Sequence, residues 1–283
     1  MAQIIDGKRI SADIRSEIKT EVTAMSAQGV VPGLAVIIVG DDPASAIYVR
    51  NKARACDEVG INSEIIALDS GVSEEELIKK IDELNKRKDI SGVLVQLPLP
   101  PHISEKNITE AIAPEKDVDA FSNENVGKII KGEMCLLPCT PAGIMELIHR
   151  SGVDVSGKEC VVVGRSNIVG KPMAAMLLGA NGTVTVCHSK TNDLSVHTKR
   201  ADILVVAVGK AKFIDGEMIK PGAVVIDVGI NRMPDGKLCG DVDFESAEKV
   251  ASMITPVPGG VGPMTVAMLL KNTLTAAKMQ NNM

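Results

Sequence analysis

Between Arg9 and Gln28 the apolar residues Ile10, Ile14, Ile18 and Val22 recur about one turn apart, the period of an amphipathic helix. The unbroken apolar run Leu34–Val39 then predicts a strand buried on both faces. Gly40-Asp41-Asp42-Pro43 opens a helix expected from about Ala44 to Val59, and Ile61–Leu68 reads as a second strand. Ser73 with Glu76 makes a capping box ahead of a helix reaching about Lys88. Ile90–Leu97 is a third strand, closed by Pro98, Pro100 and Pro101.

The second half repeats this alternation. Cys160–Val163, Thr183–Cys187, Ile203–Val208 and Val224–Val228 read as strands, and Pro172–Leu178 starts a helix. Pro263 to about Met279 is a terminal helix with proline in its first turn. Strands joined through helices predict the α/β class, with parallel sheets and right-handed crossovers. The boundary is expected between Phe121 and Pro141, where Gly127 and Gly132 sit among short polar runs. The expected division is a catalytic domain over 1–121, completed by the terminal helix 263–283, and a Rossmann-like dinucleotide-binding domain over 122–283.

Composition narrows the picture. A chain of 283 residues suits one large or two ordinary domains, and its 45% hydrophobic and 24% charged residues suit a globular fold. One Tyr, three Phe and no Trp leave the core to aliphatic residues and 13 Met, and argue against a base-stacking surface. With 31 Lys+Arg against 36 Asp+Glu and no strongly basic tract, neither nucleic acid nor an anionic membrane is an expected partner. No apolar run of signal-peptide or membrane-spanning type occurs, so a cytoplasmic location is expected. The six cysteines show no paired spacing and read as reduced thiols. Cys135, Cys139 and His149 fit no zinc pattern, and no metal is expected.

Gly164-Arg165-Ser166-Asn167-Ile168-Val169-Gly170-Lys171-Pro172 leaves a strand and opens a helix, where a dinucleotide fold places its phosphate loop. The match to G-x-G-x-x-G is incomplete, since Ser166 stands at the second glycine and the last glycine comes one residue late. A tight turn that binds nothing is the competing reading. The next strand tips the balance, ending Val186-Cys187-His188-Ser189-Lys190-Thr191 with no acid to hold a ribose 2′-OH. Arg165 and Ser189 suit a 2′-phosphate instead, which predicts NADP rather than NAD.

A second set of candidates precedes that loop. Tyr48 and Lys52 lie four apart and share a helix face, and Gln96 stands at the carboxyl end of a strand, where open α/β sheets bind ligands. If Gln96 and Lys52 meet, the amide oxygen can orient the amine for acid–base work. Asp119 in Pro114–Phe121 is a further candidate, although acidic loop residues are mostly solvated. The segment Thr255–Thr265 packs three Gly and three Pro into a stiff loop that can approach a ligand closely.

Taken together, Tyr48-Val49-Arg50-Asn51-Lys52, Val95-Gln96-Leu97-Pro98, Pro114–Phe121, Gly164–Pro172 and Pro258–Thr265 resemble the bifunctional methylenetetrahydrofolate dehydrogenase/cyclohydrolase family of the bacterial FolD type. The likeness runs in order along nearly the whole chain. It implies oxidation of 5,10-methylene-tetrahydrofolate by NADP, then hydrolysis of the methenyl product to 10-formyl-tetrahydrofolate, in cytoplasmic one-carbon metabolism that supplies purine synthesis. It also implies two α/β domains flanking a cleft, and a homodimer. By the same resemblance Lys52 is the general acid/base of the hydrolytic step, Gln96 tunes it, and Tyr48 stacks near the folate. Asp119 binds the pterin, and Val49, Arg50, Asn51, Val95 and Leu97 join the substrate-binding set with Pro258, Gly259, Gly260, Val261 and Gly262. Gly164, Arg165, Ser166, Ser189 and Ile230 hold NADP. Ala120 stands where the family commonly has glycine, which tightens that turn.

Two other readings compete. A two-domain NADP enzyme with a lysine base, of the shikimate dehydrogenase kind, has similar length and layout, but its Gly-rich phosphate loop and Asn-Arg-Thr clamp are missing. A short-chain dehydrogenase also uses Tyr-x-x-x-Lys, but after the nucleotide loop rather than before it. A nucleotide-binding sensor without chemistry is the non-enzymatic reading, and the presence of Lys52, Gln96 and Asp119 together argues against it.

Overall fold

In the computed structural model, residues 1–283 are described except for the side chain of Ala44. The strands in chain order are β1 (Gln3–Ile4), β2 (Gly33–Val39), β3 (Asn62–Leu68), β4 (Gly92–Val95), β5 (Glu159–Val163), β6 (Thr183–Cys187), β7 (Ile203–Val206), β8 (Val224–Asp227), β9 (Asn231–Arg232), β10 (Leu238–Cys239) and β11 (Met253–Ile254). The helices are α1 (Gly7–Ser26), α2 (Pro43–Val59), α3 (Glu74–Lys86), α4 (Glu105–Ala111), α5 (Asn123–Lys131), α6 (Cys139–Arg150), α7 (Gly170–Gly179), α8 (Leu194–Thr198), α9 (Phe244–Ala247) and α10 (Val261–Asn281). None of the described helices is long and apolar enough to cross a membrane.

The chain divides into two compact units. One comprises Met1–Ala12 with Thr140–Thr265, the other Asp13–Cys139 with Val266–Met283. This differs from the expected division at two places. Residues 1–12 join the second sheet because β1 pairs in parallel with β11, Gln3 opposite Met253. Residues 122–139, expected in the dinucleotide-binding domain, belong instead to the unit built on Asp13–Cys139 and hold α5, which Ser122 Oγ caps at Asn125 N and Gly132 closes with φ +70°. Gly132 is therefore a helix stop.

In the unit built on Asp13–Cys139, a parallel sheet runs β3-β2-β4. Every residue of the central strand β2 is buried, which accounts for its unbroken apolar run. Asp42 Oδ2 accepts from Ser45 N at the start of α2, and Ser73 with Glu76 closes the capping box of α3. Leu77, Ile81 and Leu84 form the buried face of α3 and pack with Ala35, Ile37 and Val93 of the sheet. Lys116, 5% exposed, donates from Nζ to the carbonyls of Leu84 and Arg87 at the end of that helix. A buried amine is thus satisfied by helix C-terminal carbonyls, where a positive charge is favoured.

The other unit carries a sheet of order β1-β11-β8-β7-β5-β6, parallel throughout. The chain leaves β5 for β6 on one side and returns to β7 on the other, so β5 marks the topological switch point. Val161, Val163, Leu204, Val206 and Val225 make its core.

Candidate functional site

Lys52, Gln96 and Asp119 come together through three separate pieces of local structure. Gly40, with φ +81°, turns the chain out of β2, and α2 then carries Tyr48 and Lys52 one turn apart. Gln96 follows β4 directly and is pinned there, its N–H donating to Ile37 O at 2.8 Å. The segment through Asp117 runs parallel to β4, bridged at Val93, and Val93 N donates to Lys116 O. Asp119, two residues on, therefore lies level with the end of β4.

Lys52 Nζ donates to Gln96 Oε1 at 2.9 Å, and Gln96 Nε2 donates to Leu97 O at 2.6 Å. The amide is thus fixed with its oxygen toward the amine. Asp119 is half-buried. Burial pushes its carboxyl up to about 6, against the opposing pull of the Lys52 charge, with Asp117 adding to the rise. Cys139 Sγ lies 3.8 Å from Asp119 Oδ1 and 3.4 Å from Val118 O, and burial holds this thiol well above its ordinary range. Asn272 Nδ2 from α10 donates to Val118 O and Leu137 O, both at 2.7 Å, bracing the same turn. Ala120, fully buried, takes φ +56°, a left-handed conformation that favours glycine.

The remaining members of this set separate by exposure. Tyr48 is 58% exposed, and Arg50 and Asn51 are also at the surface. Val49, 2% exposed, has its side chain buried. Val95, Leu97 and Asp119 line a small cavity with Ile108, Ile112 and Phe121. Pro258, Gly259, Gly260, Val261 and Gly262 belong to the other unit. There Lys8 N donates to Gly259 O at 3.1 Å, and a side chain at Gly7 would overlap Gly260 O.

In that unit Gly164 follows β5 with φ +136°, and a Cβ there would overlap Ala207 O. A Cβ at Gly170 would overlap Gly164 O, so both glycines of the loop are fixed by close backbone approach. Ser166 does not replace the middle glycine of the usual pattern in kind. Its Oγ accepts from Val169 N at 3.2 Å and Gly170 N at 3.3 Å, fixing the turn that leads into α7. Arg165 and Ser189 are exposed beside the ends of β5 and β6, and Ile230, 59% exposed, follows β8. A strand–loop–helix at the switch point, with no acid closing β6, fits a phosphorylated dinucleotide.

Sequence reasoning weighed Cys139 only as a metal ligand and passed over Asn272, and both meet Asp119's turn from other parts of the chain. It also passed over Asp227 and Asp241, both buried. An acid ending the apolar run Val224-Val225-Ile226-Asp227 was the available signal for one of them.

A doubly wound sheet with a phosphate-type loop, in a chain that also holds an oriented amine–amide pair beside a carboxyl, defines a dinucleotide-dependent α/β enzyme. Residues 5–119 match the tetrahydrofolate dehydrogenase/cyclohydrolase catalytic domain, and residues 138–281 match the NAD(P)-binding domain of the same family. The chain belongs to the tetrahydrofolate dehydrogenase/cyclohydrolase family. A bifunctional protein FolD of Acetivibrio thermocellus is 62% identical over 282 residues, covering 100% of this chain and 99% of that one. The structure of the bifunctional FolD methylenetetrahydrofolate dehydrogenase/cyclohydrolase from Campylobacter jejuni is 49% identical with a TM-score of 0.97, covering 100% of both chains. The Trypanosoma brucei methylenetetrahydrofolate dehydrogenase-cyclohydrolase, complexed with NADP cofactor and inhibitor, is 41% identical with a TM-score of 0.93, covering 100% of this chain and 99% of that one. The family domain boundary at 138 lies close to the division at Cys139, whereas Val266–Asn281 falls in the NAD(P)-binding match but packs with the other unit. Packing is the physical criterion, and Asn272 bonded to Val118 and Leu137 carries it.

Proposed function

We propose that this protein oxidises 5,10-methylene-tetrahydrofolate with NADP and hydrolyses the resulting methenyl compound to 10-formyl-tetrahydrofolate. The observation that carries the reading is the Lys52–Gln96 bond beside Asp119, in a chain of this family. The chemistry that bound NADP would supply is acceptance of the hydride lost by the methylene carbon. Gly164, Arg165, Ser166, Ser189 and Ile230 are the residues that would hold it, with Arg165 and Ser189 reading the 2′-phosphate.

Lys52 moves protons in the hydrolytic step. Water adds to the methenyl carbon and gives a proton to the amine; the bond to one ring nitrogen then breaks, that nitrogen takes a proton from the amine, and the adduct hydroxyl releases its remaining proton to solvent as the formyl carbonyl forms. One positioned amine serves both transfers, and Gln96 holds it by accepting a hydrogen bond while its own N–H is committed to Leu97 O. Asp119, as a carboxylate, accepts from the amino and ring N–H groups of the pterin, and Tyr48 offers an exposed ring to stack against it. The shikimate dehydrogenase and sensor readings lose their support with the family established.

The protein works as a cytoplasmic homodimer in this reading. Its unpaired cysteines suit a reducing compartment, and the resemblance supports the dimer. A mass measurement in solution tests the dimer. A spectrophotometric assay with methylene-tetrahydrofolate and NADP, followed by hydrolysis of methenyl-tetrahydrofolate alone, tests both activities. Absence of either one from the purified protein overturns the corresponding half.

A further inference from the structure

We propose that Asp241 is a positioning residue for the dinucleotide, holding from beneath the loops that follow β7 and β8. The proposal rests on the reading that NADP binds at the carboxyl edge of the second sheet.

Asp241 is fully buried. Its Oδ2 accepts from Val208 N at 2.6 Å and Gly209 N at 2.8 Å, and its Oδ1 accepts from Lys210 N at 2.8 Å and Asn231 Nδ2 at 2.9 Å. Three successive backbone N–H groups thus converge on one carboxylate, a concave arrangement of the kind that binds anions. Gly209, with φ +65°, makes the turn that aims them. The loop after β7 therefore takes its shape around an internal anion.

Asp227, at the end of β8, ties down the same residue through its backbone. Its Oδ1 accepts from Gly229 N at 3.0 Å and Asp241 N at 2.9 Å, and its Oδ2 accepts from Val242 N at 2.9 Å. Burial pushes its carboxyl up to about 6 despite these donors. Side chains at Gly229 and Gly240 would overlap Asp241 and Asp227 respectively, so the two acids and two glycines form one packed knot. Every carboxylate oxygen in the knot already faces N–H donors, which makes it a brace and not a cation site.

The consequence falls on Ile230. Its chain neighbours are tied separately, Gly229 by Asp227 and Asn231 by Asp241, while Ile230 itself is 59% exposed. An apolar side chain held outward between two anchored residues at the carboxyl edge of a doubly wound sheet has the placement of a dinucleotide contact. Asp241 fixes it without touching the ligand.

The test is Asp241→Asn, which keeps size and shape but turns an NH2 toward N–H donors whichever way the amide lies. NADPH binding, titrated by the fluorescence of the dinucleotide, should weaken by about tenfold or more, as expected when charged hydrogen bonds are lost. The KM for NADP should rise while the KM for methylene-tetrahydrofolate and the rate of methenyl hydrolysis, measured without dinucleotide, stay at wild-type values. Asn231→Ala, which removes one of the bonds to Asp241 Oδ1, should weaken NADPH binding less and serves if the first variant does not fold. Unchanged NADPH affinity in either folded variant overturns the proposal, as does a parallel loss of hydrolysis and folate binding. A wild-type protein that binds NADPH but oxidises no methylene-tetrahydrofolate overturns the proposed function and leaves this test intact.

Discussion

Replacing Lys52 by methionine removes the amine and keeps an unbranched stem, so the effect on chemistry can be read apart from packing. In the folded protein the change leaves Gln96 Oε1 without its 2.9 Å donor. An orphaned acceptor costs about 1–3 kcal/mol when buried, and Gln96 is only half-buried, so water offsets part of it. Against a typical stability of about 5–15 kcal/mol the variant stays folded. The Lys52 charge also opposes the rise of the Asp119 carboxyl, which climbs above its value of about 6 once the amine is gone. Loss of one positioned acid–base group lowers a rate by about 10²–10⁴-fold, and that is the expected fall in methenyl hydrolysis. Hydride transfer needs no proton carrier at this position, so NADPH formation from methylene-tetrahydrofolate should fall much less. The two activities are followed separately, by the absorbance of the methenyl compound and by that of NADPH. Wild-type hydrolysis in the variant would refute Lys52 as proton carrier, and equal losses in both activities would reduce it to a folate-positioning residue.

Asp119→Asn should weaken folate binding by about 1.5–3 kcal/mol without changing NADPH binding, because a carboxylate acceptor is lost on one unit only. The same variant should be more stable than the wild type above pH 6. A carboxyl raised from 3.8 to about 6 on folding is penalised in its charged form by up to about 3 kcal/mol, and this penalty fades as pH falls from about 6 toward 3.8. Denaturant midpoints across that range check the sign, and a stability gain that grows toward low pH would contradict it. Arg165→Ala should lower the ratio of kcat/KM for NADP over NAD by about tenfold, since an exposed guanidinium is partly screened and Ser189 keeps part of the preference. An unchanged ratio removes Arg165 from 2′-phosphate recognition. Ala120→Gly should be close to neutral in stability: relief of the left-handed strain at φ +56°, about 1–2 kcal/mol, offsets about 0.4–1 kcal/mol of chain entropy and about 0.8 kcal/mol for the buried methyl. A destabilisation beyond about 2 kcal/mol would mean that the turn is not strained.

The parts of this fold legible in the amino-acid order are those whose cause is local. The strand Thr183–Cys187 and the helix stopped by Gly60 follow from runs and caps that lie side by side in the chain. Lys52 and Tyr48 declared their shared face through a four-residue spacing, whereas the bond from Lys52 to Gln96 spans 44 positions and could only be stated as a condition. β1 was invisible for the same reason. It is two residues long with exposed side chains, and only its partner β11 makes it a strand. Gly127 and Gly132 read as breaks, yet the first lies inside α5 on open ground and only the second ends it. Asp227 and Asp241 look like ordinary acids until the tertiary fold brings six backbone N–H groups to them.

The pairing of Gln3 with Met253 sets the order in which this protein can be completed as it is synthesised. The segment Asp13–Cys139 emerges well before its complement Val266–Met283, and the sheet strand β1 emerges long before β11. A nascent chain that has passed the phosphate loop therefore carries two unfinished units at once, each waiting on residues translated late. A chain interrupted before β11 would leave both incomplete, with an unpaired strand edge at Gln3–Ile4 and an uncovered face beside Val118. Closure of the unit that holds the phosphate loop thus waits for β11, and closure of the other waits for Val266–Met283, which follows β11 in the chain.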